Sequence, residues 1–210
     1  MKNEIFLILA KIALSLHNLS YRLSTKFAIK AEGGLHPKHR IMNYHKFFLD
    51  KVNEGDEVLD IGCGNGALAF DLAQKAKLVV GIDVNKENIQ VARSKYGLEN
   101  IQYTVGDATK DLDDEKFDVI VLSNVLEHLE NREGSLDKIK KLSPKTLIRV
   151  PMMNRDWITL YKREKGIQSR LGQTHLTELT LESYKKELRK AGFNLERYLV
   201  HFREIWAVVK

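Results

Sequence analysis

EVLDIGCGNGALAFDLA, residues 57 to 73, is the stretch whose reading decides the fold. EVLDI is a short aliphatic run of the kind that forms a buried strand, and ALAFDLA carries its apolar residues at helical spacing. Between them stand Gly62, Gly64 and Gly66, which let the backbone bend tightly and approach a ligand without side-chain obstruction. A strand that passes through such a turn straight into a helix is the first unit of an α/β domain, with its ligand held at the turn.

The pattern continues outward in both directions. Short β-branched runs at 78 to 83 (LVVGID), 101 to 105 (IQYTV), 117 to 122 (FDVIVL) and 146 to 150 (TLIRV) alternate with helix-like stretches, the signature of βαβ units and a parallel sheet. The chain closes differently: FNLERYLVHF and REIWAVVK adjoin with almost no linker, which demands an antiparallel hairpin. A late helix is predicted at about 180 to 191, and residues 151 to 180 between it and the fifth strand lack clear periodicity. Irregular chain of that length is usually functional, so it reads as a substrate-side insertion. Upstream, Pro37 can open a helix running to about Leu49. Division into a helical extension and lid at 1–49 and an α/β domain at 50–210 follows.

Two cofactors suit the glycine turn. With Ala67 counted, the run fits the loose G-x-G-x-x-G/A dinucleotide pattern, and Asp83 stands where a ribose-binding acid belongs, so NAD competes. Against this, DIGCGNG (60–66), GIDVN (81–85) and GDAT (106–109) follow one another in the order found in class I, Rossmann-like S-adenosylmethionine-dependent methyltransferases, which the chain resembles over nearly all of residues 50–210. The resemblance implies a three-layer α/β fold with a mostly parallel seven-stranded sheet ending in an antiparallel hairpin. It implies that Asp60 and the loop residues Gly62, Cys63 and Gly64 hold the methionine part of S-adenosylmethionine. Asp83, with Val84, would take the ribose hydroxyls; Asp107, with Ala108, would take the adenine; Ser123 would border the cofactor. Carboxylates only accept hydrogen bonds, which suits hydroxyl and amine donors and a cationic ligand and disfavours a pyrophosphate. The terminal hairpin and the absence of room for a further substrate domain point the same way.

On the acceptor side the fourth strand runs into VLSNVLEHLENREG, which places Ser123 to His128 at its carboxyl end, where open α/β sheets bind ligands. The segment is not N-P-P-Y or D-P-P-Y, so methylation of an exocyclic base amine loses support. Ubiquinone O-methyltransferases and small-RNA 2′-O-methyltransferases carry E-x-x-E-H here and use it with a metal; Asn124 replaces the first Glu, and no metal is assigned. His128 suits a general base at neutral pH and equally a packed structural histidine. His175, three residues before Glu178, and Tyr44, in a His- and Tyr-rich lid segment with His45, are the other catalytic candidates. Trp157 and Tyr161, four apart, would line one helical face toward a ring-bearing or lipidic acceptor, or simply pack the insertion. Cys63 reads as packing rather than as a nucleophile, since nothing near it in sequence would activate it.

At 210 residues the chain holds one catalytic domain, and its single cysteine excludes an internal disulfide and fits a reducing cytoplasm. The net charge of +6 is spread along the chain without a basic stripe, so RNA stands behind a small-molecule, lipid or glycan acceptor methylated at oxygen. A non-catalytic cofactor-binding protein is a further alternative. Ile5, Leu9, Ile12, Leu16, Leu19 and Leu23 recur at steps of four and three, which predicts a helix over 3–29 whose stripe is covered by the main domain, a second subunit or a membrane surface. The uninterrupted apolar run reads as too short to span a bilayer.

Overall fold

Across the sheet the strands run in the order Ile101–Val105, Leu78–Asp83, Glu57–Ile61, Val119–Ser123, Thr146–Pro151, Glu204–Val209 and Leu195–His201, which puts the glycine turn beside the central strand. The computed structural model describes residues 2–108, 110–111, 115–170 and 174–210. Along the chain lie α1 (Lys2–Ala31), α2 (Lys38–Met42), α3 (Tyr44–Leu49), β1 (Glu57–Ile61), α4 (Ala67–Ala73), β2 (Leu78–Asp83), α5 (Lys86–Lys95), β3 (Ile101–Val105) and β4 (Val119–Ser123). After a 3-10 turn (Leu126–His128) come α6 (Arg132–Leu142), β5 (Thr146–Pro151), α7 (Trp157–Glu164), α8 (Leu181–Lys190), β6 (Leu195–His201) and β7 (Glu204–Val209).

The first five strands pair in parallel, and β7 runs antiparallel between β5 and β6. This is the expected fold, with β1, β4 and β5 almost wholly buried and helices on both faces. Their aliphatic side chains (Leu59, Ile61, Ile120, Leu122, Ile148, Val150) make one continuous core with Leu136, Ile139, Tyr184 and Leu188 from the helices. Each such buried side chain contributes about 1.5–3 kcal/mol. Side chains start the helices: Asn85 accepts from the backbone N–H of Glu87 and Asn88 at the head of α5, and Thr180 and Ser183 form a capping box on α8.

Three expectations need correction. The strand placed at 117–122 begins at Val119, because the Phe117 N–H donates to the Leu142 carbonyl at the end of α6 instead of joining the ladder. The single helix expected from Pro37 to Leu49 is broken at Asn43, whose φ of 47° is left-handed, a conformation asparagine tolerates better than most residues. The insertion is not wholly irregular: Asp156 accepts from the Thr159 N–H at 2.6 Å and starts α7. Residues 171–173 of that insertion, and Thr109 of the GDAT motif, lie outside the described residues.

The chain forms two compact units. One takes the N-terminal segment through Tyr44 together with the insertion from Met153; the other runs from His45 to Met152 and resumes at Thr174. Within the first unit Asn18 of α1 donates to the Gln168 carbonyl (2.8 Å), and the Lys162 ammonium meets Asn18 Oδ1 (2.6 Å) and His17 Nδ1 (3.0 Å). The residues of the apolar stripe of α1 are exposed. By length and composition the helix is also long and apolar enough to cross a bilayer, contrary to the expectation, because it continues well past Lys11 with few charges.

Candidate active site

The loop between β1 and α4 is shaped by its glycines in two distinct ways. A Cβ on Gly62 would stand 2.7 Å from Val125 Cγ2, and one on Gly66 would stand 2.7 Å from the Tyr103 hydroxyl, so both are required by packing as well as by their left-handed φ values. Gly64, with φ 56°, faces open space within 4 Å. The turn is thus packed at both ends and open in the middle, a cradle that a side chain would fill.

Two acids, Asp83 and Asp60, flank the cradle. Asp83, last in β2, accepts the Gly64 N–H (2.9 Å) on one oxygen and the Asn85 N–H (2.8 Å) on the other, which ties the loop to the neighbouring strand end. The oxygen that holds Asn85 also accepts from the Asn88 amide (3.4 Å), while the oxygen that holds Gly64 keeps a further lone pair for a hydroxyl donor. Val84 follows at 71% exposed, an aliphatic surface left bare beside the acid. Asp60 is fully buried in β1; its Oδ2 finds no hydrogen-bond partner among the described residues, and burial together with the Asp83 charge pushes its carboxyl up to about 8. A buried acceptor without a donor, beside an open cradle, fits the ammonium-bearing end of S-adenosylmethionine, which would supply both missing donor and missing charge. Asp107 lies past β3, ion-paired to Lys110 at 3.0 Å and accepting the Lys110 N–H on its carbonyl; Ala108 next to it is half-buried. Cys63 is buried, and burial raises its thiol beyond its ordinary value, in keeping with packing.

At the end of β4 a second cluster forms. Asn124 adopts φ 59° and its N–H donates to the Arg149 carbonyl, so the chain turns sharply out of the sheet into the 3-10 turn. That turn delivers Glu127 and His128 side by side. His128 Nδ1 lies 3.1 Å from the Thr174 carbonyl; a carbonyl can only accept, so Nδ1 carries the hydrogen and Nε2 the lone pair. Burial, with His175 adding, holds its pKa below the ordinary value. His175 stands against it, its own Nδ1 3.0 Å from Glu178 Oε1, so the sequence candidates His128 and His175 are brought together and Glu178 orients the second. Glu127 is 3% exposed, neither carboxyl oxygen has a hydrogen-bond partner among the described residues, and burial pushes it up to about 7. Glu127, His128 and His175 offer nitrogen and oxygen atoms within 4.8 Å of one another, an arrangement able to accept a proton, a hydroxyl donor or a divalent cation.

Behind this cluster lies a buried support that sequence reading missed. Arg149 of β5, 1% exposed, makes a bidentate pair with Glu204 of β7 (2.5 and 2.9 Å) and also donates to Ser123 Oγ (3.2 Å). Trp206 Nε1 donates to the same Glu204. Ser123 is therefore positioned by the sheet. Tyr44 belongs to the other compact unit, where its hydroxyl meets His39 Nδ1 at 2.8 Å; His45 is held at 2.5 Å by Asp71 of α4.

Residues 52–192 match the family model described as a methyltransferase domain. The chain belongs to that family, the class I S-adenosylmethionine-dependent methyltransferases. S-adenosylmethionine is accordingly its cofactor. Among sequence relatives, it is similar to the ubiquinone biosynthesis O-methyltransferase of Rickettsia bellii, 33% identical over 103 residues that cover 47% of this chain and 42% of the relative. The chain thus spans less than half the length of that curated relative. In fold it is similar to magnesium protoporphyrin IX methyltransferase from Synechocystis (TM-score 0.63, 20% identity, 82% of each chain). It is likewise similar to the N-methyltransferase NodS from Bradyrhizobium japonicum (TM-score 0.62, 19% identity, 82% of this chain and 85% of the other). Both of those structures hold S-adenosylhomocysteine. In this methyltransferase the cradle and Asp60 would take the amino-acid end of the cofactor, Asp83 the ribose and Asp107 the adenine.

Proposed function

We propose that this methyltransferase acts on a hydroxyl oxygen of a small-molecule, lipid or glycan acceptor, with the Nε2 of His128 receiving the hydroxyl proton. The carrying observation is the His128 contact to the Thr174 carbonyl, which leaves Nε2 as the basic atom beside His175 and the unpartnered carboxyl of Glu127. When bound, the cofactor would supply an electrophilic methyl carbon on a sulfonium, its thioether being the leaving group, in line with the acceptor oxygen that His128 deprotonates. In-line displacement needs alignment and exclusion of water, and a poised base adds roughly 10²–10⁴-fold. Glu127, partly protonated near neutral pH, can hold the acceptor through a hydrogen bond, while Glu178 keeps His175 in one ring orientation. The name of the Rickettsia bellii relative, an O-methyltransferase, supports oxygen as the accepting atom.

The test is methyl transfer from labelled S-adenosylmethionine to a panel of phenols, aliphatic alcohols, sugars and amines. Methylation of hydroxyl compounds, lost in His128→Ala while S-adenosylhomocysteine still binds, is the expected result. Transfer confined to amines, or full activity in His128→Ala, would overturn the proposal.

A further inference from the structure

Helix α1 leaves its apolar stripe exposed. Ile5, Leu9, Ile12, Leu16, Leu23 and Phe27 share one side of the helix at 3.6 residues per turn and are between 42 and 61% exposed. Ala10, Leu14, Asn18 and Thr25 lie on the opposite side and are half-buried. That opposite side is fastened through its polar residue: Asn18 is bonded to the Gln168 carbonyl and to the Lys162 ammonium, which also meets His17. A helix of a water-soluble fold does the reverse, burying its apolar stripe and offering asparagine and histidine to solvent.

Charge identifies what covers the stripe. The helix carries Lys2, Lys11, Arg22, Lys26 and Lys30 against the single acid Glu4, and the chain as a whole is at +6. A second copy seated on the stripe through a two-fold axis would bring the same cations against each other. An anionic lipid surface offers what this face lacks, acyl chains for the stripe and negative headgroups for Lys26 and Lys30, which flank its C-terminal end and are exposed. Spanning is disfavoured by the fastening itself, since Asn18 and His17, at mid-helix, are joined to a polar segment that would be dragged into hydrocarbon.

We propose that α1 lies in the plane of an anionic membrane surface and anchors the methyltransferase there through its apolar stripe and basic border. The anchor is independent of the acceptor's chemistry and of the proposed hydroxyl methylation.

The experiment is co-sedimentation of the full chain with vesicles of phosphatidylcholine alone and of phosphatidylcholine mixed with phosphatidylglycerol. Binding is expected to the mixed vesicles, weakened by high salt and released by alkaline carbonate. The triple variant Ile5→Glu, Leu9→Glu, Leu16→Glu should lower the vesicle affinity roughly tenfold or more, and Lys26→Glu with Lys30→Glu should do likewise. All these positions are exposed, so S-adenosylhomocysteine affinity should be unchanged, which reports that the domain is folded. Equal binding by the stripe variant, no preference for the anionic vesicles, or carbonate-resistant insertion would each overturn the proposal. A dimer in solution that the stripe variant dissociates, with no vesicle binding by the parent protein, would assign the stripe to a second copy instead.

Discussion

The imidazole of His175 stands edge-on to that of His128, with ring centroids 4.9 Å apart and the planes at 89°. One ring is fixed by a backbone carbonyl and the other by a carboxylate, so the pair is held from two independent directions. His128→Ala should lower kcat by about 10²–10⁴-fold with cofactor affinity unchanged. Glu178→Gln should cost less, near tenfold, because the amide can still accept from Nδ1–H but no longer supports charge on the ring. Steady-state kinetics beside calorimetric binding of S-adenosylhomocysteine check both; a Glu178→Gln effect as large as that of His128→Ala would mean that His175, not His128, receives the proton.

A divalent cation should compete with the proton for this cluster. If His128 acts as a base, chelators leave turnover unchanged, while zinc inhibits by occupying the lone pairs of His128 and His175 together with Glu127. Turnover that falls on chelation and returns with a divalent ion would replace the base with a metal-assisted step.

Asp60 sets a pH dependence whose sign is fixed by its raised carboxyl. In the unfolded chain an aspartate ionises near ~3.9, whereas in the ligand-free fold it does so at about 8, so the folded state holds the extra proton between those values. Its contribution therefore becomes increasingly destabilising as pH rises through that window and is complete above about 8. Asp60→Asn should raise the Tm of the ligand-free protein at pH 8.5, by roughly 2–4 °C per kcal/mol recovered, and leave it little changed near pH 4. The same variant should bind S-adenosylmethionine at least tenfold more weakly. Scanning calorimetry at the two pH values, with and without ligand, reads both effects; an Asp60→Asn protein less stable than the parent at pH 8.5 would refute the orphaned-carboxyl account.

The glycine loop predicts a split between neighbours. Gly64→Ala meets open space and should cost only about 1 kcal/mol for its left-handed backbone, yet cut cofactor affinity sharply. Gly66→Ala drives a methyl to 2.7 Å from the Tyr103 hydroxyl and 2.8 Å from Ala92 and should cost about 2–4 kcal/mol. Denaturant titration and ligand binding on the pair of variants separate the two roles.

Glu204 lies inside the sheet with Arg149 as its partner, so Glu204→Ala should destabilise the domain by about 3–5 kcal/mol by leaving a buried guanidinium uncompensated. Replacing both residues with apolar ones of similar volume should recover most of that loss, a comparison that equilibrium unfolding makes directly.

The sheet was legible because burial on both faces leaves continuous aliphatic runs, as in Val119–Ser123, and the candidate acids stood out because Asp60 lies one residue before the end of β1, Asp83 ends β2 and Asp107 follows β3. What stayed hidden depends on residues distant in sequence. Nothing local announces that Arg149 will meet Glu204, since the antiparallel register of β5 and β7 creates the pair. The meeting of His128 with His175 likewise depends on the Leu176 N–H returning to the Glu127 carbonyl. Helix α7 is too short for periodicity to reveal; the four-residue spacing of Trp157 and Tyr161 hinted at it, while its cap, Asp156 three residues ahead of Thr159, went unread. Asn43 broke the expected helix through backbone conformation, which a hydropathy pattern does not carry.

The chain leaves the sheet unit after Met152 and re-enters it at Thr174, and both ends of the excursion are pinned. Met152 bridges to Leu179, and its N–H donates to the Arg203 carbonyl. An excursion closed at its base behaves as a cassette, exchangeable without disturbing the strands on either side. Because it shares a unit with the N-terminal helix, through Gln168 and Lys162, the two segments must be transplanted together. Relatives built on the same sheet could thus diverge in this pair while the cofactor half of the protein stays as it is.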